Sequence, residues 1–273
     1  MSRMSRISTC FDELKRRNKQ ALIPYITAGD PNVVTTLGLM HALVQNGADL
    51  IELGFPFSDP SSDGPVIQRA IERALAKKTT LRDVLEIVKQ FRATDSKTPV
   101  VLMGYLNPVE CMGYQQFTAA AVAAGVDGVL LVDMPPEESH DLYQVLRNGG
   151  LETIYLVAPT SSDARIEAIC RQSSGYVYYV SLKGVTGASN LDIASVTSNL
   201  ARVRQHTSLP LGVGFGIRDA ESAASIAKVA DAVVVGSALI NRIAELQDHT
   251  HHTAAALQQQ TSLIADMRRA MDN

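Results

Sequence analysis

Eight short apolar segments, spread along the whole chain, constrain the fold more than any other feature of the sequence. Each has the length of a strand, and each is followed by apolar residues at helical spacing. The predicted strands are residues 21–28, 50–53, 99–103, 128–132, 153–157, 176–181, 211–214 and 232–235. Because strands that alternate with helices form parallel sheets, the sequence predicts an α/β protein.

The number of strands and crossovers selects one architecture. Helices are predicted after Gly29-Asp30-Pro31, from Pro65, after a Thr80 cap, and over 114–124, 137–147, 163–172, 193–205 and 219–228. Thr9 is expected to cap an extra N-terminal helix, and residues 254–271 to form an extra C-terminal helix. Eight strands in 273 residues predict a single (β/α)8 TIM barrel over 1–273, with an open doubly wound sheet as the alternative.

One short turn recurs at the entrance to three predicted strands. It reads Gly47-Ala48-Asp49, then Gly125-Val126-Asp127, then Val229-Ala230-Asp231. Recurrence of this kind indicates an internally repeated structural unit.

Composition excludes several classes of function. The chain is 46% hydrophobic and carries 25 Lys and Arg against 28 Asp and Glu, a net charge of −3 without a basic run. Nucleic acids and membranes are therefore not expected partners. Cys10, Cys111 and Cys170 are odd in number and far apart, which indicates neither disulfides nor a zinc cluster. Since no export signal or membrane-spanning run is present, the chain is expected in a reducing cytoplasm.

Residues 50–65 contain two carboxylates that could reach one pocket. Glu52 lies in a predicted strand, and a loop of Gly, Pro, Ser and Asp then leads to Asp63 and to a helix that begins at Pro65. A carboxylate in a buried strand must be paired or shifted in pKa, so Glu52 is a candidate catalytic acid, with a structural ion pair as the alternative. Asp63 is either a second catalytic group or the cap of the following helix.

The C-terminal ends of the predicted strands collect other distinctive residues. Chemistry gathers at this rim in a (β/α)8 barrel. The residues found there include Thr27, Gly29, Tyr105, Asn107, Asp133, Lys183, Thr186, Phe215, Gly216, Gly236 and Ser237. The glycines after the last two strands favour a phosphate site, because free N–H groups at a helix N-terminus bind anions. Ordinary turn glycines and a dinucleotide fingerprint are the alternatives.

Three other features have ordinary explanations beside functional ones. Lys183 lies where a Schiff-base lysine could act, although a solvated loop lysine is commoner. His249, His251 and His252 lack a cysteine partner, so we interpret them as a solvated turn and predict no metal site. Residues 181–190 are small and polar, as in a mobile lid or in a plain surface loop.

Several long motifs follow one another in an order that is typical of one enzyme family. They are Thr27-Ala28-Gly29-Asp30-Pro31, Leu50-Ile51-Glu52-Leu53-Gly54, Pro56-Phe57-Ser58-Asp59-Pro60, Asp63-Gly64-Pro65, Gly184-Val185-Thr186-Gly187 and Gly214-Phe215-Gly216-Ile217. In these motifs the chain resembles the tryptophan synthase α subunit. The resemblance implies cleavage of indole-3-glycerol phosphate to indole and glyceraldehyde 3-phosphate without a cofactor in this chain. It also implies transfer of indole to a pyridoxal-phosphate-bearing β subunit in an α₂β₂ complex.

The resemblance also assigns roles to individual residues. Glu52 and Asp63 match the catalytic carboxylates. In a retro-aldol cleavage, indole C3 gains a proton and the side-chain hydroxyl loses one, which suits Glu52. Asp63 then stabilises positive charge at the indole nitrogen.

The remaining roles are carried over by position in the motifs. The substrate-pocket matches are Tyr25, Tyr105, Tyr178, Thr186 and Phe215. The phosphate-site matches are Gly187, Gly216, Gly236 and Ser237, and the loops that face the β subunit contain Pro56, Asp59, Asn107 and Pro108. One departure is Ser61-Ser62, where relatives usually carry an apolar residue and Ala. It predicts the loss of an apolar anchor if that position is buried.

Three other functions compete with this one. They are a Schiff-base aldolase that uses Lys183, a stand-alone indole-3-glycerol phosphate lyase, and an inactive barrel that only activates a partner. Glu52 and Asp63 argue against the inactive barrel, because a scaffold needs neither carboxylate.

Overall fold

A closed parallel barrel forms the centre of the protein in the computed structural model, which describes residues 5–181, 192–214, 216–246 and 252–273. Its strands are β1 (Ala21–Thr27), β2 (Ile51–Gly54), β3 (Val100–Gly104), β4 (Gly128–Leu131), β5 (Glu152–Ile154), β6 (Leu156–Val157), β7 (Val177–Val180), β8 (Leu211–Gly214) and β9 (Ala232–Val235). They pair in the order β5-β4-β3-β2-β1-β9-β8-β7-β6.

The first and last strands of that order, β5 and β6, join and close the barrel. Only Tyr155 separates β5 from β6, and its carbonyl accepts the N–H of Tyr178 at 3.1 Å. The segments β5 and β6 are therefore two halves of one strand that pairs with β4 on one side and β7 on the other. The predicted (β/α)8 barrel is confirmed, and the open doubly wound sheet is wrong.

Helices precede the first strand, alternate with the strands and follow the last strand. They are α1 (Arg6–Arg16), α2 (Val33–Gln45), α3 (Pro65–Ala76), α4 (Leu81–Arg92), α5 (Leu106–Met112), α6 (Tyr114–Ala124), α7 (His140–Gly149), α8 (Asp163–Gln172), α9 (Ile193–Val203), α10 (Ala220–Ala227), α11 (Ser237–Ile243), α12 (Ala254–Gln260) and α13 (Ser262–Asp272). In the described part of the chain, no helix is long and apolar enough to cross a membrane.

Three helix predictions need correction. The N-terminal helix begins three residues before Thr9, since Ser5 is its cap and accepts the N–H of Ser8 at 3.1 Å. The predicted terminal helix is divided into α12 and α13 at Thr261, whose hydroxyl donates to Leu257 O at 2.8 Å and is bound by Asn46 at 2.7 Å. The sequence did not predict α5, because seven residues are too few for a clear helical period.

Alternation along the strands separates two apolar cores. Inward-facing side chains of the barrel form one cluster, which contains Ala21, Ile23, Leu50, Val101, Leu130, Ile154, Tyr176, Tyr178, Ala232 and Val234. The outward-facing side chains pack against the helices in the larger cluster. Ile7, Phe11 and Leu14 of α1 belong to the interior cluster. Ile7 lies against Gly128 and Gly175, at the starts of β4 and β7, so α1 covers the N-terminal end of the barrel.

The repeated turn that ends in Asp is a structural clamp between neighbouring strands. In each copy, the carboxylate accepts the N–H of a residue on the preceding strand at 2.8 Å, and the Asp N–H donates to the carbonyl of that same residue at 3.0 Å. The three pairs are Leu22–Asp49, Val100–Asp127 and Leu211–Asp231. Each clamp fixes the register of two strands, which confirms the repeated unit.

An arginine completes each clamp. The guanidinium of Arg268 lies 3.0 Å from Asp49, that of Arg92 lies 2.7 Å from Asp127, and that of Arg204 lies 2.8 Å from Asp231. Asp127 also binds Arg6 of α1 at 2.8 Å. This second arginine joins α1 to the strands that it covers.

Asp127→Ala is expected to destabilise the protein far more than Asp231→Ala. The Asp127 side chain is 4% exposed, and its loss removes the ion pairs to Arg6 and Arg92 and the acceptor of the Val100 N–H, whereas the Asp231 side chain is 38% exposed. Removing one partner of a buried ion pair costs about 3–5 kcal/mol, against about 1 kcal/mol for an exposed one. Urea unfolding of both variants measures the difference, and equal losses would contradict the proposed importance of the Asp127 clamp.

Candidate active site

Glu52 lies inside the barrel with a single hydrogen-bond partner. Its side chain points inward from β2 and the residue is 1% exposed. The hydroxyl of Tyr176 donates to Oε1 at 2.5 Å, while Oε2 is buried without a partner. Burial raises the pKa of Glu52 to about 7, and the hydrogen bond from Tyr176 opposes that rise. No cation of the described residues pairs with Glu52, so the structural ion pair is wrong.

Asp63 is held at the end of the loop that follows β2. The hydroxyl of Tyr105 donates to Asp63 Oδ2 at 2.7 Å and accepts the N–H of Ser62 at 3.0 Å. Burial raises the pKa of Asp63, and the hydrogen bond from Tyr105 opposes that rise. The cap of α3 is Gly64, which makes no side-chain cap bond, so the helix-cap explanation for Asp63 is wrong.

Two buried tyrosines lie near both carboxylates. Burial raises the pKa of Tyr25 and Tyr178, and the negative charges of both Glu52 and Asp63 raise each further. These phenols therefore lie within the electrostatic reach of both acids. A Cβ atom at Gly54 would collide with the hydroxyl of Tyr25, and one at Gly214 with that of Tyr178. The two glycines thus provide the space that the phenols occupy.

Local contacts fix the loop between the carboxylates. The ring centroids of Phe57 and Tyr105 lie 5.3 Å apart. Gln68 of α3 donates its side-chain N–H groups to Pro60 O at 3.3 Å and to Asp63 O at 2.9 Å. Ser61 and Ser62 are exposed, and the contact to Tyr105 uses the backbone of Ser62. The two serines therefore replace no buried anchor.

The glycines expected at a phosphate site follow neighbouring strands. Since β8 pairs with β9, Gly216 and Gly236 follow adjacent strands at the same end of the barrel. Gly216 has φ +77°, which favours glycine. Gly236 precedes α11, and Ser237 is the first, exposed residue of that helix. A Cβ atom at Gly236 would lie 3.9 Å from Tyr25, which places these loops beside the carboxylate pocket.

Several candidates lie outside the described residues. They are Lys183, Thr186, Gly187, Phe215, His249 and His251. Within the described ranges, no group of three or more His, Cys, Asp or Glu residues could hold a metal ion.

The residues expected to face a partner lie on two adjacent segments. Asp59 is exposed, and Ser58 donates its hydroxyl proton to the Asp59 carboxylate at 2.6 Å, whereas Pro56 is buried. Asn107 and Pro108 are in the first turn of α5 and not in a loop, because Pro is tolerated where helical N–H groups have no partner. Asp133, after β4, accepts the N–H of Leu106 at 2.8 Å and so stabilises the start of α5.

Sequence reasoning missed Tyr176. The residue precedes β7 and shares its inward face with Tyr178, so strict alternation of residues 176–180 would have placed both phenols in the barrel. The pairing of Tyr105 with Asp63 could not be predicted, because it joins residues 42 positions apart through the tertiary fold.

The barrel, with two carboxylates in one pocket, is typical of a class of protein, the (β/α)8 enzymes. Residues 11–271 match the family described as "Tryptophan synthase alpha chain". The tryptophan synthase alpha chain of Thioalkalivibrio sulfidiphilus is 62% identical over 269 residues, which are 98% of this chain and 100% of the relative.

Solved structures agree with that match. The tryptophan synthase subunit alpha of Legionella pneumophila is 48% identical, with a TM-score of 0.91 over 99% of this chain and 100% of that one. A chain of the Pyrococcus furiosus tryptophan synthase a2b2 complex is 39% identical, with a TM-score of 0.83 over 91% of this chain and 98% of that one. The chain belongs to the tryptophan synthase alpha chain family. It is a lyase that cleaves indole-3-glycerol phosphate, as the resemblance implied.

Glu52→Gln is expected to gain stability over the wild type as pH rises. Burial raises the pKa of Glu52 from its ordinary 4.5 to about 7, so the folded protein retains a proton that the unfolded chain loses. The stability that this retained proton gives the folded protein is fully present below the unfolded-state pKa of 4.5. It is lost as the pH rises through the folded-state pKa of about 7. The amide cannot ionise, so its advantage should grow by about 3 kcal/mol between about pH 4 and about pH 8.

Urea unfolding at both pH values measures this gain, and subtraction of the wild type removes the contribution of other groups. Glu86→Gln, at an exposed position of α4, is the matched control for replacing a Glu side chain by Gln. A pH-independent difference between Glu52→Gln and the wild type would contradict the raised pKa.

Proposed function

We propose that Glu52 transfers the protons in the cleavage of indole-3-glycerol phosphate. The observation that carries the proposal is the Oε2 atom of Glu52, which is buried and has no partner in the described structure. A carboxyl whose pKa is about 7 can both donate and accept a proton near neutral pH. Glu52 protonates indole C3, and the resulting carboxylate then takes the proton of the side-chain hydroxyl. The bond from C3 to the glycerol carbon breaks, its electrons return to the ring, and the hydroxyl carbon becomes the aldehyde.

Asp63 stabilises the charge that this protonation creates. Protonation of C3 leaves positive charge at the indole nitrogen, and a fixed carboxylate beside the N–H lowers the energy of that state. The hydrogen bond from Tyr105 at 2.7 Å supports this role, because it restricts the position of the Asp63 carboxylate. Asp63 therefore acts without losing its charge.

The rest of the substrate fits the residues around this pair. Tyr25, Tyr105 and Tyr178 provide the walls for the indole ring, together with Phe215. The substrate phosphate binds the backbone of Gly187, Gly216 and Gly236 and the hydroxyl of Ser237, and Thr186 contacts the substrate. Support comes from the position of Gly236 beside Tyr25 and from the N-terminus of α11, where no side chain of the described residues makes a cap hydrogen bond.

Indole then passes to a β subunit that carries pyridoxal phosphate, and this chain needs no cofactor of its own. Asp59, Asn107 and Pro108 contact that subunit in a heterotetramer of two α and two β chains, and Pro56 lies buried in the loop that carries Asp59. The a2b2 complex of the Pyrococcus furiosus relative supports this assembly. We place the single-barrel chain, residues 1–273, in the cytoplasm, since it has three cysteines without a disulfide framework.

Glu52→Gln and Asp63→Asn should each lower kcat for cleavage by at least about 100-fold, the contribution typical of a general acid or base. Both amides keep the shape of the acid, but one cannot transfer protons and the other cannot offset charge. Indole release from indole-3-glycerol phosphate, with and without a β subunit, is the measurement, and Glu86→Gln is the control.

Each alternative has a distinct result in this experiment. Full turnover of Glu52→Gln would remove Glu52 from the mechanism. Wild-type turnover that is unaffected by the β subunit would identify a stand-alone lyase. A covalent adduct at Lys183 after borohydride reduction with substrate would identify a Schiff-base aldolase.

Gly236→Asp should weaken binding of glycerol 3-phosphate by more than Gly236→Asn. The two side chains have nearly the same size, but only Asp places a negative charge beside the anion. Calorimetric titration of both variants separates charge from bulk. Equal affinities would show that the phosphate binds elsewhere.

A further inference from the structure

The closed end of the barrel is connected to the catalytic end through one aromatic side chain. Tyr176 is 0% exposed and lies between Glu52 and the helix α1. Its hydroxyl binds Glu52 Oε1 at 2.5 Å, and its ring centroid lies 5.9 Å from that of Phe11, with the planes tilted by 47°. Phe11 thus contacts the ring whose hydroxyl binds Glu52.

The ring of Tyr176 has a second wall that restricts its position. A Cβ atom at Gly212 on β8 would lie 3.4 Å from Tyr176 Cδ2 and 3.6 Å from Cε2, which is ordinary van der Waals contact. Tyr176 therefore packs against the bare backbone of β8 on one side and against Phe11 on another. Loss of the Phe11 ring would leave the tyrosine free to move away from Glu52.

We infer that Phe11 is a positioning residue for the active site, because its packing from the closed end of the barrel holds the Tyr176 hydroxyl on Glu52. The residue touches no reacting atom. Its effect passes through the hydrogen bond that stabilises the ionised form of Glu52. This inference rests on the proposed role of Glu52 only where turnover is the readout.

Asp63 lies in the same pocket, and burial raises its pKa as it raises that of Glu52. The phenols that face Glu52 are Tyr25 from β1 and Tyr176 and Tyr178 at β7, and the pKa of each is raised above its ordinary value of 10.0. Next to Phe11 on α1, burial raises the pKa of the Cys10 thiol to about 12. A pH midpoint near neutrality is therefore assigned to Glu52 by its loss in Glu52→Gln.

Phe11→Ala should move the pH midpoint of the Glu52-dependent limb of kcat upward by about 0.5–1 unit, because a displaced Tyr176 no longer stabilises the carboxylate. Tyr176→Phe, which removes the hydroxyl, should give a larger shift of about 1–2 units. In the double variant, Phe11→Ala should add no further shift to Tyr176→Phe.

The matched control is Leu14→Ala, on the same helix and in the same interior cluster. Leu14 is 5% exposed and Phe11 is 7% exposed, so both substitutions remove buried apolar contacts and lower stability. Among the ring contacts of the described residues, only Phe11 forms one with Tyr176. Leu14→Ala should therefore leave the pH midpoint unchanged. Phe11→Met, which keeps most of the apolar volume, should restore most of the wild-type midpoint.

Infrared titration of the Glu52 carboxyl band, assigned by its loss in Glu52→Gln, measures the same shift without turnover. If Glu52 has no catalytic role, this spectroscopic shift still occurs while the kcat profile does not move. Identical Glu52 titration in Phe11→Ala and the wild type would overturn the inference, as would an equal shift in Leu14→Ala. Should Phe11→Ala be too unstable, Phe11→Leu removes the ring with less loss of volume and is judged by the same outcomes.

Discussion

A carboxylate that is buried with one hydrogen bond and no cation is the constraint on which the site depends. Charge at Glu52 is unfavourable in an apolar surrounding, and this penalty brings its pKa to about 7. Water would remove the penalty, so the interior must exclude it. The apolar interior cluster does so, together with α1, which covers the N-terminal end of the barrel. The packing that excludes water from the interior is therefore also what raises the pKa of Glu52.

The strands that carry the site are aligned far from the chemistry. The Asp49 clamp fixes β2, which carries Glu52, against β1, which carries Tyr25, and the pair Tyr25–Glu52 lies in register. The Asp231 clamp does the same for β8 and β9, which lead to Gly216 and Gly236. A shift of one residue would turn every inward side chain outward. The clamps at the N-terminal ends thus preserve the geometry at the C-terminal ends.

Much of the fold could be predicted because the strands are short, apolar and separated by helices. Periodicity placed every strand within about two residues, as expected for buried parallel strands. It could not find α5, since seven residues carry little periodic information, nor the break at Thr261, which depends on a tertiary bond from Asn46. Glu52 could be identified locally, because an acid inside an apolar strand is exceptional. Its pairing with Tyr176 could not be predicted, because 124 positions separate the two residues.

In the proposed mechanism the two carboxylates meet different chemical demands, and their surroundings differ accordingly. Glu52 must gain and lose a proton, which requires a pKa near the working pH and hence full burial on a rigid strand. Asp63 must remain charged, and it sits half-buried at the end of a loop with a phenol donor on Oδ2. A protonated Asp63 has no negative charge and could not stabilise a positive indole nitrogen. The different environments of the two acids therefore suit them to different roles in the proposed mechanism.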